Sequence, residues 1–555
     1  MNRDIRIVVA VDFGTTFSTF AYANIQNPDD IVTNDSWPEQ SGSFKTNTAL
    51  QYNDKFQVVK WGYPALAQEP SGRKKKRLPD GSENKPVELF KLCLASNLKP
   101  EEKPTLPAGI DHKKAITDYL REMGKLIIET LSSRWPGIRF PQQVRVILTV
   151  PAEWHDEAKA FMRLCAFDAG LTDSLRSENL EFTTEPEAAA IHCISILKEH
   201  QLNVGSSFMI VDCGGGTVDL TTRTLLPGNK LGEVTERAGG LCGSSFVDRE
   251  FVRYVGRKVG MGAMNKLQNN NYGQLQYMIQ QFCIKAKFPF NGNPEEFISK
   301  DFDIERVCPA LMKYVTGVAE EQMEEAEWLI ELDYASVKAM FDPVVDQILQ
   351  LIQKQITSAE GRVRCMFLVG GFAESQYLQL RVKQAFSRFV TTIAVPSHPI
   401  AAIVRGALSY GLNMGTVETR VLKWTYGVEV SSKWERGDPV ERKTPSGRIF
   451  RFHQLAQRGV EVGVDQTFKY TAGPVIATQM DMTFNIYVTS AISARYCDED
   501  GMRLLGKMKI DLPDPRLGKN RLVEFSLTFA TMEIKATARN VQNGGVYQTT
   551  FDLEF

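Results

Sequence analysis

Two aspartates flank three consecutive glycines and a threonine in Asp212-Cys213-Gly214-Gly215-Gly216-Thr217-Val218-Asp219. Glycines in a row leave backbone N–H groups uncovered, and successive uncovered amides form a concave site for an anion, of which phosphate is the natural one. Asp212 and Asp219 stand at its two ends, where carboxylates hold a hard cation and its waters. A partner loop lies near the N-terminus. Asp12-Phe13-Gly14-Thr15-Thr16-Phe17-Ser18-Thr19 supplies an aspartate, a glycine and hydroxyls able to bond phosphate oxygens. Taken alone, this stretch also suits a plain hairpin turn with Gly14 at its tip.

Both loops need strands to place them. An apolar, β-rich run precedes each: Ile5–Val11 before the first and Phe208–Val211 before the second, read as buried strands. His112–Leu131 has helical periodicity, with Ile116, Tyr119, Leu120, Met123, Ile127 and Leu131 on one face. Val144–Val150 reads as a strand closed by Pro151, and Glu153–Ala169 as a helix stopped at Gly170. Thr184-Glu185-Pro186-Glu187 is a capping box opening a helix through Ala188-Ala189-Ala190-Ile191, small residues that allow close packing. Glu185 there also suits a first-turn acid complementing the helix dipole. Another glycine turn, Ala238-Gly239-Gly240-Leu241-Cys242-Gly243, precedes a helix from Ser245, and residues 250–360 read as mainly helical. Arg364–Val369 runs as a strand into Gly370-Gly371-Phe372, then a helix carrying Leu378, Leu380, Val382 and Phe386; Gly406 lies in a small-residue helix, Ala401–Gly411. Strand, glycine loop and helix recur in two halves, which predicts α/β domains around a cleft. From about Trp424 the pattern changes to apolar–polar alternation: Val428–Val430, Gln466–Tyr470, Met482–Val488, Val523–Phe529 and Glu533–Ala538, with Asn543-Gly544-Gly545 as a hairpin signal. This predicts a separate all-β domain, a sandwich.

At 555 residues the chain exceeds one core, so two to four domains are expected. With 43% hydrophobic and 24% charged residues it has the composition of a soluble globular protein. A net charge of -1 provides no global field toward nucleic acid or an anionic membrane, and neither partner is expected. No apolar run approaches a membrane span, and Met1–Asp4 leads straight into a short strand rather than a signal peptide. Nine scattered cysteines without a C-x-x-C suit a reducing compartment, so the expected localisation is cytoplasmic; Cys213 reads as a buried, inert thiol. Arg73-Lys74-Lys75-Lys76-Arg77 offers nuclear import or an RNA contact, but lacking interleaved aromatics it reads as a solvated loop. Asn34-Asp35-Ser36 is a chance glycosylation match.

The two loops, in this order, resemble those of the ATPase superfamily of actin, sugar kinases and the 70 kDa heat-shock chaperones. Leu148-Thr149-Val150-Pro151-Ala152, Glu185-Pro186-Glu187-Ala188-Ala189-Ala190 and Phe367-Leu368-Val369-Gly370-Gly371 are similar to the chaperones in order and spacing. So are Leu505-Gly506-Lys507, Ile510-Asp511-Leu512 and Ile534-Lys535-Ala536-Thr537-Ala538. Cys213, Val369-Gly370-Gly371-Phe372-Ala373-Glu374 and Thr425-Tyr426-Gly427-Val428 resemble the divergent twelfth-member branch of that family. The resemblance implies a two-lobed actin-like ATPase (ribonuclease H-like) domain over 1–420, with lobes 1–204 and 205–420, followed by a β-sandwich over 424–555 like the chaperones' substrate-binding domain, without the helical lid.

It further implies ATP or ADP with Mg²⁺ in the cleft. Gly14, Thr15, Thr16 and Phe17 would line the first phosphate loop, and Gly214, Gly215, Gly216 and Thr217 would cradle the β- and γ-phosphates. Gly239 and Gly240 would stand nearby, and Gly370, Gly371 and Phe372 would complete the nucleotide site. Asp12 and Asp212 would hold the metal through water, and Glu185 and Asp219 would orient or deprotonate the attacking water. Asp12, Glu185, Asp212, Thr217 and Asp219 form the catalytic set, which acts by positioning and charge neutralisation.

Three departures stand out. Leu66 occupies the place of the family's catalytic lysine; losing one such donor costs about 2–4 kcal/mol of transition-state stabilisation. Lys91 and the 73–77 run are the candidate substitutes. Glu374 and Ile400 replace an arginine and an aspartate of the adenine pocket, and Trp424 with its neighbours replaces the acidic-apolar linker. The expected function is a chaperone-like ATPase with weak hydrolysis, whose β domain takes unfolded peptide. The alternatives are a nucleotide-gated adaptor that docks folded partners with negligible hydrolysis and, more distantly, a small-molecule kinase of the same superfamily.

Overall fold

The computed structural model describes residues 4–66, 85–95, 103–104, 106–152, 154–199, 203–228, 230–235, 238–414, 419–463, 466–512, 515–529, 534–541 and 546–550. The basic run 73–77, Glu153 and the Asn543-Gly544-Gly545 turn lie outside the described residues. The chain forms a mixed α/β structure of two compact units. One comprises Met1–Trp154, Leu164–Thr222 and Arg237–Asn413; the other comprises His155–Arg163, Arg223–Glu236 and Met414–Phe555.

In the first unit, one sheet runs in the order Leu180–Thr184, Val144–Val150, Ile7–Phe13, Phe17–Asn24, Asn27–Thr33, with Thr46–Asn47 beside Phe17–Asn24. Its first three strands are parallel, and Ile7–Phe13, Phe17–Asn24 and Asn27–Thr33 follow as an antiparallel meander. Every residue of Ile7–Phe13 is buried, which is why its sequence is apolar without alternation except at Asp12. A second sheet repeats the scheme: Val218–Leu226, Ser207–Cys213, Val363–Val369 and Thr392–Ala394, the last three parallel, with Ala238–Gly240 against the start of Val218–Leu226. The distal half of that strand, from Arg223, pairs with Lys230–Glu233 as part of the second unit.

Two small-residue helices pack on each other, the first of them carrying the chain from one sheet to the other. Glu185–Glu199 leaves the strand Leu180–Thr184 directly, and the Glu187 amide donates to Thr184 Oγ1 at 3.3 Å, as a capping box requires. Ala402–Leu412 crosses it so closely that a Cβ on Gly406 would lie 1.7 Å from the Ala188 carbonyl oxygen. The small residues of both helices are there to permit that approach.

His112–Arg134 buries all six residues of its predicted face, and Asp111 caps it by accepting from the Lys114 amide at 2.7 Å. The helix placed at Glu153–Ala169 is shorter, Asp156–Asp168. Leu378, Val382 and Phe386 are buried on Gln376–Phe386 while Leu380 faces outward, since it lies off the stripe that the other three share. Residues 250–360 are mainly helical, with turns between the helices and an unforeseen strand pair, Lys300–Asp303 with Leu329–Leu332.

The β-rich part of the second unit has two antiparallel four-stranded sheets. One is ordered Arg448–Ala456, Thr425–Lys433, Asp481–Thr489, Arg503–Asp511; the other Thr467–Ala472, Val523–Thr528, Lys535–Asn540, Val546–Thr550. Both feed one core, in which Phe484 and Phe525 stack at 4.8 Å. Alternating burial along Asp481–Thr489 reproduces the alternation of its sequence.

Candidate functional site

The hairpin turn and the glycine loop read from the N-terminal motif are one object. Asp12 pairs with Thr19 and Phe13 with Ser18 across Ile7–Phe13 and Phe17–Asn24, leaving Gly14-Thr15-Thr16 as the turn. Thr48 secures it: its amide donates to the Thr16 oxygen and its hydroxyl to the Gly14 oxygen, both at 2.8 Å. Gly214–Thr217 forms the equivalent turn in the other sheet, closed by the Gly214 amide donating to the Thr217 oxygen at 2.9 Å. Amides of Gly243, Ser244 and Ser245, at the start of the helix Ser245–Val259, donate to the oxygens of Gly216, Gly214 and Gly215. The second loop is thereby held from behind.

The two loops touch. A Cβ on Gly215 would fall 2.0 Å from Thr16 Oγ1, and one on Gly216 would lie 3.4 Å from Thr15 Cγ2. At Gly215 any side chain would displace Thr16, while the Gly216 distance is an ordinary van der Waals contact. Thr15, Thr16 and Gly214–Thr217 are all half-buried, so both loops remain reachable from solvent. Gly239 pairs with Asp219 and Gly240 with Val218, bringing that third glycine turn beside the second loop. Gly370 has φ +85°, and a Cβ there would sit 2.4 Å from Asp212 Oδ1, so this turn too abuts the site. Gly371 neighbours Ile400, whereas the Phe372 ring is buried in the apolar core 6.3 Å from Phe341. Phe17, by contrast, is 44% exposed.

Beneath the loops lie four buried carboxylates, Asp12, Glu185, Asp212 and Asp219. Ligand atoms of Glu185, Asp212 and Asp219 all lie within 4.8 Å of one another. Asp212 Oδ1 is buried without a hydrogen-bond partner among the described residues. Burial, reinforced by the charges of Glu185 and Asp219, pushes the Asp212 carboxyl well above the ordinary carboxylate range. Mutual repulsion and an orphaned oxygen are both relieved by a hard cation, so this set fits Mg²⁺. Asp12 is loaded differently. Thr149 Oγ1 donates to its Oδ1 and Lys45 Nζ to its Oδ2, each at 2.8 Å. Burial alone would raise the Asp12 carboxyl, but Lys45, the charge of Lys91 and the Thr149 hydrogen bond together hold it below the usual range.

Two lysines neutralise part of this charge. Lys91, weighed from the sequence, is 3% exposed and donates to Glu185 Oε1 at 2.7 Å, with the rings of Phe13 and Trp154 on either hand at 5.7 and 5.4 Å. Lys45 went unnoticed in the sequence because it sits in a Ser- and Thr-rich connection with no motif around it. Thr149 had a faint signal, being a hydroxyl in an otherwise apolar buried strand. Leu66 does not reach toward the loops' polar groups; it packs with Ala49 and Ala65, and Tyr272 covers the cluster. Glu374 is near enough to Lys45 and His398 to feel both charges, although burial dominates and raises its carboxyl. His398 in turn meets the Phe44 ring at 5.5 Å.

Fold and site define a class: an α/β protein in which two strand–glycine–strand loops close on each other above a buried, cation-ready carboxylate cluster. No protein-family model matches the chain. It is similar to human heat shock 70 kDa protein 12A, at 26% identity over 96% of this chain and 90% of that protein, and mouse heat shock 70 kDa protein 12A gives the same figures. Human heat shock 70 kDa protein 12B is 24% identical over 99% of this chain and 91% of its own length. The chain is therefore a divergent protein similar to heat shock 70 kDa protein 12 along nearly its whole length, as its motifs imply.

Proposed function

We propose that this chain is an ATP-binding, chaperone-like protein. In this reading residues 1–420 form a two-lobed actin-like domain, with lobes 1–204 and 205–420, that binds ATP or ADP with Mg²⁺. Residues 424–555 form a β-sandwich that takes peptide or a protein partner according to nucleotide state. The observation that carries it is the direct meeting of Thr15 and Thr16 with Gly215 and Gly216 above Glu185, Asp212 and Asp219. Two amide-lined turns facing each other can grip a polyphosphate from both sides. The similarity to heat shock 70 kDa protein 12A and 12B supports the same reading.

The residues then have distinct tasks. Backbone amides and hydroxyls of Gly14–Thr16 and Gly214–Thr217 bind and orient the phosphates. Glu185, Asp212 and Asp219 would hold Mg²⁺, which when bound neutralises charge on the phosphate oxygens. Glu185 and Asp219 are also placed to orient an attacking water, with Glu185 kept in position by Lys91. Hydrolysis is weak, because Leu66 lies in an apolar cluster instead of contributing a cation. The same observation favours a second reading, a nucleotide-gated adaptor with negligible turnover. The kinase alternative gains nothing from the β-rich second unit, which has no part in phosphorylating a small molecule. Cytoplasmic residence belongs to the proposal as well, on the strength of nine free cysteines.

Calorimetric titration of the full chain with ATP, ADP and GTP, with and without Mg²⁺, followed by single-turnover hydrolysis, tests this. Micromolar or tighter, Mg²⁺-dependent ATP binding with slow turnover is expected. Binding without turnover selects the adaptor, and no nucleotide binding overturns both.

A further inference from the structure

Lys45 is a largely enclosed cation paired with Asp12, two residues before Gly14, and no motif accounts for it. It begins the segment whose Thr48 secures the first loop through the oxygens of Gly14 and Thr16. The side chain is 12% exposed, and its ammonium also interacts with the charges of Asp212, Glu185 and Glu374. Asp12 is its bonded partner, and the charges of three further acids from separate elements act on the same ammonium. Such a group has three N–H donors, of which Asp12 Oδ2 takes one. Lys91 is less free to move, being enclosed by Phe13 and Trp154 and joined to Glu185. A purely structural ion pair is readily replaced by apolar packing and has no reason to stand behind two half-exposed, anion-ready loops.

We propose that Lys45 is a phosphate-contacting residue: it keeps Asp12 with one donor and turns its others to the terminal phosphate of a nucleotide held between the loops. This rests on the nucleotide-binding reading and names the residue that discriminates triphosphate from diphosphate. Lys45 thereby gives the bound phosphate a cation out of a segment with no glycine signature, without taking over the catalytic role that Leu66 cannot fill.

The test is calorimetric titration of the full chain with Mg²⁺ and ATP, ADP or AMP, for the unmodified protein, Lys45→Met and Lys45→Gln. Gln retains a donor for Asp12 without the charge, which guards against a folding defect in the Met variant; the ATP-to-ADP affinity ratio is read within each variant, so a partly folded sample weakens both nucleotides alike. Loss of about tenfold or more in ATP affinity with less than about threefold in ADP affinity is expected for both variants. An unchanged ratio in Lys45→Gln overturns the assignment while leaving nucleotide binding intact. Failure of the unmodified chain to bind any of the three removes the parent reading and this one with it.

Discussion

Asp212 shows at the scale of one residue what gathering buried carboxylates costs the fold. An acid raised in the folded state stabilises the fold only below its unfolded value, and that contribution is lost as pH rises through the folded value. At neutral pH, above its unfolded value, Asp212 therefore works against folding, given its burial and the nearby Glu185 and Asp219. Asp212→Asn is expected to raise the melting temperature of the ligand-free protein by about 1–3 °C at neutral pH, with the gap closing as pH falls. Differential scanning calorimetry across pH checks the sign, and a lower melting temperature at neutral pH contradicts it. The same variant loses about tenfold or more in Mg²⁺-dependent nucleotide affinity. Leu66 gives the complementary case. Leu66→Lys is expected to place an ammonium in the cluster of Ala49, Ala65 and Tyr272, destabilise the protein by about 1–3 kcal/mol in urea unfolding, and leave single-turnover hydrolysis no faster. A tenfold faster turnover would show that position 66 still reaches the phosphate.

At the scale of elements, two contacts set the positions of others. Glu185 sits on the first turn of a helix whose path is constrained by the backbone of its neighbour at Gly406. Gly406→Ala puts a methyl against the Ala188 carbonyl, and since backbone cannot rotate away as a side-chain tip does, a loss of about 1–3 kcal/mol is expected. Because the shift acts on the helix bearing Glu185, nucleotide affinity should fall together with the urea midpoint; unchanged affinity at a lowered midpoint would separate the two. In the second unit, Arg521 is fully buried and donates to the carbonyls of Gly518, Leu512 and Ala477 at 2.9, 2.9 and 2.6 Å. It ties the connection after Thr467–Ala472 to the one after Arg503–Asp511, leaving Val475, Ile476, Met480, Leu517 and Leu522 exposed around the tie. Arg521→Met removes the donor from three carbonyls, Leu512's buried and those of Gly518 and Ala477 only partly so, and should cost about 1–3 kcal/mol, read as a lower urea midpoint. A stability within a few tenths of the unmodified protein would mean water replaces the guanidinium.

At the scale of the whole molecule, the claim is that residues 200 positions apart serve one ligand. ATP with Mg²⁺ should slow amide hydrogen exchange in Gly14–Thr16 and Gly214–Thr217 together, at the same ligand concentration. Protection of one loop without the other would dissolve the shared site. Mass spectrometry of the exchanged peptides resolves the two segments readily, since they are turns far apart in the sequence.

Local chemistry made much of this molecule legible from its residues alone. Short-range rules govern a run of seven buried residues before Gly14, a capping box at Thr184–Glu187 and alternation along Asp481–Thr489, so strands, helices and the two glycine turns could be placed without coordinates. Where the residues are read by backbone amides, as at Gly215, the motif itself carries the meaning. Lys45 and Thr149 had no such mark, because a lone lysine or threonine acquires a role only from what lies across from it. Their value depends on Asp12 at 2.8 Å, a distance created when strands far apart in sequence become neighbours in one sheet. Likewise Leu66 reads from sequence as a lost cation, and only the folded chain shows it filling an apolar cluster while two other ammoniums stand among the carboxylates.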